Sequence, residues 1–77
     1  MRRKKLRSVV AFDSTHEALS AESLCHAEGI EGRLIPTPVA IKADCGLAWS
    51  MPPEERPLFE ERLSGKVLWA GIYELEL

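Results

Sequence analysis

A helix with both ends marked in the sequence constrains this chain most. Ser14 precedes Glu17 by three residues, which is the capping-box pattern that opens a helix. Gly29 suits the left-handed position that follows a helix, so the helix is predicted over residues 15–28. Apolar residues recur along it at helical spacing, and Cys25 is one of them. Cys25 is therefore predicted to be a core residue.

The segments around this helix have the composition of strands and of a second helix. Strands are predicted over residues 8–12, 32–35, 47–51 and 67–75, the last with a bulge or kink at Gly71. A second helix begins after Pro53 or at Pro57 and ends near residue 63. The order β-α-β-β-α-β predicts an α+β, ferredoxin-like fold: a four-stranded antiparallel sheet, in strand order 4-1-3-2, with two helices on one face.

Length and charge restrict the organisation of the chain. With 77 residues there is one domain, too small for a deep enclosed cavity, so chemistry is expected at a surface loop. Residues 1–7 hold five cations, whereas residues 8–77 hold five cations and all twelve acids, a net charge of −7. We interpret residues 1–7 as a basic tail and residues 8–77 as the domain. Such a tail is either a solvated terminus or a contact for nucleic acid, membrane or an acidic partner.

The sequence contains no complete pattern for a signal peptide or a membrane span. The basic start is similar to the first part of a signal peptide, but the apolar residues 9–12 end at Asp13. No apolar run approaches the roughly 20 residues of a membrane span. Two cysteines fit a reducing compartment. We expect a cytoplasmic protein without a membrane partner.

Several function classes lack their sequence signatures. His16 and His26 are ten residues apart on one predicted helix, about 15 Å along its axis, so they cannot share a metal ion. No metal site is predicted, and without a glycine-rich phosphate loop no cofactor is predicted either. The third strand lacks the aromatic pattern of RNA-binding domains and the domain is acidic, which disfavours nucleic acid.

The predicted topology brings Cys45 to the edge of the sheet where the first helix begins. A helix N-terminus carries partial positive charge and free N–H groups, which stabilise a thiolate. Ser14 at that N-terminus, the N–H of Gly46, and the cations His16 and Lys42 are the predicted anion-stabilising groups. The adjacent Asp44 acts against them. The alternative is that Cys45 is only a small residue where a loop enters a strand.

Five short motifs, in this order and spacing, are similar to the Se/S carrier protein-like family of small bacterial proteins. They are Phe12 to Glu22, Gly32 to Pro38, Ile41, Cys45 to Ala48 and Gly71 to Leu75. The resemblance implies carriage of sulfur or selenium on a cysteine, and Cys45, followed by Gly46, matches the family's cysteine. Asp44 stands where a small or hydroxyl residue is usual, and nothing carries over to Cys25.

The resulting hypothesis is a carrier, rather than a turnover enzyme, that accepts a sulfane atom as a persulfide on Cys45 and relays it. Its partners are donor and acceptor proteins of sulfur or selenium. Two alternatives stay open at the sequence level. One is a non-catalytic interaction domain that uses an edge strand or residues 36–44, with Cys45 incidental. The other is a redox sensor, in which Cys45 forms a disulfide or a mixed disulfide, with Cys25 as its one possible partner within the chain.

Overall fold

The computed structural model describes residues 4–43 and 45–77. Strand β1 (Leu6–Ala11) leads into helix α1 (Thr15–Glu28), which is followed by β2 (Arg33–Pro36) and β3 (Leu47–Met51). A short 3-10 helix (Pro53–Glu55) then leads directly into α2 (Arg56–Leu63), and β4 (Gly71–Glu76) closes the fold. The predicted element order β-α-β-β-α-β is present, so the α+β class is confirmed.

Helix α1 has the predicted bounds because local chemistry sets both of its ends. Ser14 is the N-cap, and its side-chain oxygen accepts the N–H of Glu17 at 3.3 Å. Gly29 has φ +73°, the left-handed conformation that a glycine adopts without steric cost. The side chain of Glu17 departs from the predicted capping box. Its carboxylate accepts the N–H of Leu68 at 3.1 Å instead of an N–H at the start of the helix.

The sheet is fully antiparallel and has the order β2-β3-β1-β4, which is the predicted strand order. β3 occupies its centre beside β1, with Ala48 opposite Ala11 and Ser50 opposite Val9. Alternate residues of the strands point to opposite faces. One face packs against α1 and α2 around Trp49, and the other face, called here the open face, carries a small cluster that includes Ile41.

The second half of the chain departs from the sequence prediction at two places. α2 begins at Arg56, with Pro57 in its first turn, so the later of the two predicted starts applies. Residues 67–69, predicted as the beginning of the last strand, form no strand. Val67 is instead buried against the helices, and the N–H of Leu68 goes to Glu17 rather than to a neighbouring strand. These tertiary contacts outweigh the strand preference of the segment.

Close approach of two backbones makes Gly32 a sensitive position. Its φ is +154°, and a Cβ there would lie 2.6 Å from the carbonyl oxygen of Ser50 and 2.7 Å from the ring of Trp49. We expect Gly32→Ala to lower the free energy of unfolding by about 2–4 kcal/mol, measured by urea denaturation.

Gly46→Ala is the matched control for this substitution. A Cβ on Gly46 meets nothing within 4 Å, and its φ is not in the positive range. Its expected change in stability is within about 0.5 kcal/mol. Equal losses for the two variants would contradict the steric account of Gly32.

Candidate functional site

Cys45 continues the side-chain alternation of β3 beyond the end of that strand. Leu47, Trp49 and Met51 belong to the core on the helix side of the sheet, and Cys45, two residues earlier, belongs to the same core. Its side chain therefore points beneath the sheet edge and is only 4% exposed. The expectation of a thiol at an exposed loop surface is not met, because the period of the strand carries the side chain inward.

Two hydrogen-bonding groups lie close to the Cys45 sulfur. The backbone N–H of Leu47 donates to Sγ at 3.3 Å. The hydroxyl of Thr15, the first residue of α1, lies 3.7 Å from the same sulfur, and either group can donate in this hydrogen bond. The topology placed the sulfur near the N-terminus of α1, and the structure has it there.

Thr37 fastens the backbone around Cys45 to the end of β2. Its hydroxyl donates to the carbonyl oxygen of Cys45 at 3.0 Å, and its N–H donates to the carbonyl oxygen of Gly46 at 3.0 Å. Both bonds close the long connection from Pro36 to Leu47 at its base. The position of the sulfur is thus set by the sheet edge rather than by the loop alone.

The groups beside the sulfur differ from those predicted at two positions. The backbone amide that reaches Sγ belongs to Leu47, not to Gly46, whose carbonyl is held by Thr37. The Ser14 hydroxyl is engaged as the N-cap of α1, and the adjacent hydroxyl of Thr15 contacts the sulfur instead. Extending the period-two pattern of β3 by one pair of residues would have indicated the helix-facing direction of Cys45.

The predicted cations lie on the surface around this site. His16 and Lys42 are both exposed, and no hydrogen bond within residues 4–43 and 45–77 joins either one to Cys45. His16 lines a shallow groove on the outer side of α1, together with Leu19 and Lys66. Asp44, predicted to oppose the thiolate, lies outside the described residues.

Cys25 is a core residue, as its helical spacing predicts. It is fully buried, and burial, followed by the charge of Glu55, raises the pKa of its thiol to about 12. It lies ten residues after Thr15 on the same helix, roughly 15 Å along the axis. Because a disulfide needs Cα atoms within about 7 Å, this arrangement does not allow a bond between Cys25 and Cys45.

The described residues show neither a metal-binding cluster nor a membrane-spanning helix. No group of three or more His, Cys, Asp or Glu side chains there is arranged to hold a metal ion. No helix in the same part of the chain is both long enough and apolar enough to cross a membrane.

Comparison with known proteins gave one match. The family model described as "Putative Se/S carrier protein-like" matches residues 7–74, which is most of the chain. The searches of curated proteins and of solved structures found no match. The matched range includes every residue around the Cys45 sulfur.

The buried thiol of Cys25 generates a prediction about alkaline stability. Its pKa in the folded protein is about 12, above the ordinary value of 9.0, so the unfolded chain loses this proton first as pH rises. This group therefore lowers the free energy of unfolding progressively above pH 9.0, by up to about 1.4 kcal/mol per pH unit.

Cys25→Ala removes that contribution and leaves a small cavity. We expect the variant to be about 1 kcal/mol less stable than the wild type near neutral pH. The difference should narrow or reverse at about pH 10, in urea titrations at both pH values. A difference that does not change with pH would contradict the assignment.

Proposed function

Because the chain belongs to the Se/S carrier protein-like family, we propose that it carries a sulfur or selenium atom on Cys45. One observation supports this choice above the others: the Cys45 sulfur lies against the first turn of α1, where it accepts the N–H of Leu47 and lies 3.7 Å from the Thr15 hydroxyl. Both cysteines are buried, but the pKa of the Cys25 thiol is raised to about 12, which makes Cys25 a poor nucleophile.

The transfer step requires no oxidant and no cofactor. The Cys45 thiolate attacks the outer sulfur of a donor persulfide, and a new S–S bond forms at Sγ. The S–S bond of the donor breaks, and the donor departs as a thiolate. Cys45 then holds the atom as a persulfide, and the same exchange with an acceptor thiolate releases it. With a selenium donor, the atom attached to Sγ is selenium.

Two groups beside the sulfur can form hydrogen bonds to a thiolate or a persulfide anion. The Leu47 N–H is a fixed donor in the backbone, and the Thr15 hydroxyl rotates to donate when the sulfur is charged. The partial positive charge of the α1 N-terminus adds to both. Lys42, which is exposed, supplies further positive charge as a donor approaches, and the exposed His16 is the next residue after Thr15.

Access to the sulfur requires a rearrangement of its surroundings. Cys45 is 4% exposed, so a donor reaches it only when the groups around the sulfur move. The bonds from Thr37 to Cys45 and Gly46 fix the backbone that carries the sulfur, so we expect them to loosen when a donor binds. The protein therefore acts as a carrier whose thiol is uncovered in the complex with a partner, and it performs no turnover chemistry of its own.

Sulfur loading tests the proposal directly. After incubation with a cysteine desulfurase and free cysteine, intact-mass measurement of the wild type should show a gain of one sulfur atom that a reductant removes. Cys25→Ala should gain the same mass, because Cys25 takes no part in the exchange, and Cys45→Ala should gain none.

Two results would overturn the carrier function. One is the absence of an adduct on folded wild-type protein in the presence of an active donor. The other is an equal adduct on the Cys45→Ala variant. Either result would leave Cys45 as a packing residue and the chain as an interaction domain.

Thr15→Val tests whether the hydroxyl beside the sulfur acts on the thiolate. The substitution keeps the shape of the side chain and removes the O–H, so we expect sulfur loading to slow by roughly 3- to 10-fold. Thr15→Ser restores the hydroxyl and should restore most of the rate. Equal rates for the valine and serine variants, at equal stability in urea, would show that the contact is only structural.

A further inference from the structure

The open face of the sheet carries a groove that the carrier chemistry does not use. It has a volume of about 820 Å³ and runs along β2 and β3, with Lys5, Arg7 and Arg33 among its lining residues. None of the groove-lining residues is an aspartate or a glutamate. The groove therefore gathers cations in a chain whose net charge is −2.

The two arginines of the groove lie on β2 and β1, the strands on either side of β3. Arg33 on β2 is directly opposite Ser50 of β3, and Arg7 reaches the same serine from β1. The Nε of Arg7 donates to the Ser50 hydroxyl at 3.0 Å, and one terminal nitrogen donates to the Ser50 carbonyl at 3.3 Å. Their strands are about 10 Å apart, so one anionic group between them can contact both guanidinium groups.

Ion pairing separates these arginines from the others. Arg56 pairs with Glu60 and Glu74, and Arg62 pairs with Glu28. By contrast, no carboxylate in the described part of the chain pairs with Arg7, Arg33 or Lys5. The open face thus retains three cations for an external anion.

An apolar wall borders the cations. Ile35, Pro36 and Pro38 form part of the groove, and Val39 at its rim is fully exposed. Isolated exposed apolar residues are common, but this one lies within reach of a ligand that also meets the arginines. A fitting ligand combines carboxylates with an apolar side chain.

We propose that this groove binds an acidic peptide segment of a partner protein, with carboxylates on Arg7 and Arg33 and an apolar side chain against Val39. This inference rests on the proposed function, and the partner is the protein that delivers or receives the atom on Cys45. We choose an acidic peptide because of charge complementarity. Such a segment is repelled by the rest of the domain and attracted to this face.

A single-stranded nucleic acid is the competing polyanion, and the open face suits it less well. Such ligands stack their bases on exposed aromatic rings. The strand pairing puts one aromatic residue on this face, Tyr73 opposite Val9, and its ring lies over Gly71. An apolar wall of proline and aliphatic side chains does not replace a stacking platform.

The groove is joined to the Cys45 site through Thr37. This residue lines the groove, and its hydroxyl and N–H hold the backbone of Cys45 and Gly46. A peptide seated in the groove therefore touches the residue that holds the backbone of Cys45 in place. This contact gives the partner a position next to the thiol.

The test is an NMR titration of the full, isotope-labelled protein with a short peptide of glutamates around one leucine. We expect shifts at Arg7, Arg33 and Val39, binding that weakens with salt, and no binding of the glutamine version of the peptide. Arg33→Gln should weaken binding by about 5- to 10-fold. Lys66→Gln, an equal change of charge outside the groove, should weaken it less than about twofold.

Three outcomes would overturn the docking surface: no binding by folded wild type, equal weakening in the two variants, or tighter binding of an oligonucleotide of equal charge. Loading of Cys45 by a cysteine desulfurase with free cysteine, measured by mass on the wild type, separates the two proposals. Loading without peptide binding overturns the groove alone. Peptide binding without loading overturns the assignment of the partner as a sulfur donor or acceptor.

Discussion

The pairing of β3 with both β1 and β2 is the constraint on which the site depends. The β1 pairing brings the start of β3 beside the N-terminus of α1, because α1 follows β1 after a short turn. The β2 pairing puts Thr37, just past the end of β2, next to the backbone of Cys45. A shift of β3 by one residue would turn the sulfur to the other face and away from Thr15.

The same strand divides the molecule into two chemically different faces. Trp49 and Met51 of β3 pack beneath the helices, whereas Ala48 and Ser50 point to the open face. The thiol lies with the first set, and the cationic groove lies above the second. The segment between β2 and β3 contributes to both faces, because Ile41 packs on the open face and Cys45 packs on the helix side.

Local signals in the sequence were sufficient for much of the fold. The bounds of α1 and β3 are those predicted, because caps and alternation act within a few residues. The strand predicted over residues 67–69 was wrong, because the carboxylate of Glu17, distant in sequence, accepts the N–H of Leu68. At the site, topology located Cys45 near α1, but the donors Thr15 and Leu47 depend on side-chain directions that topology does not give.

Burial of the proposed carrier cysteine has a physical consequence for its task. A persulfide in free contact with small thiols is lost by the same exchange that forms it. A sulfur that is only 4% exposed is shielded from that loss. For the carrier role proposed above, the cost would be slow loading by any donor that does not bind the protein and expose the sulfur. Selectivity would then come from that binding step, because a domain of this size has little room for an enclosed pocket.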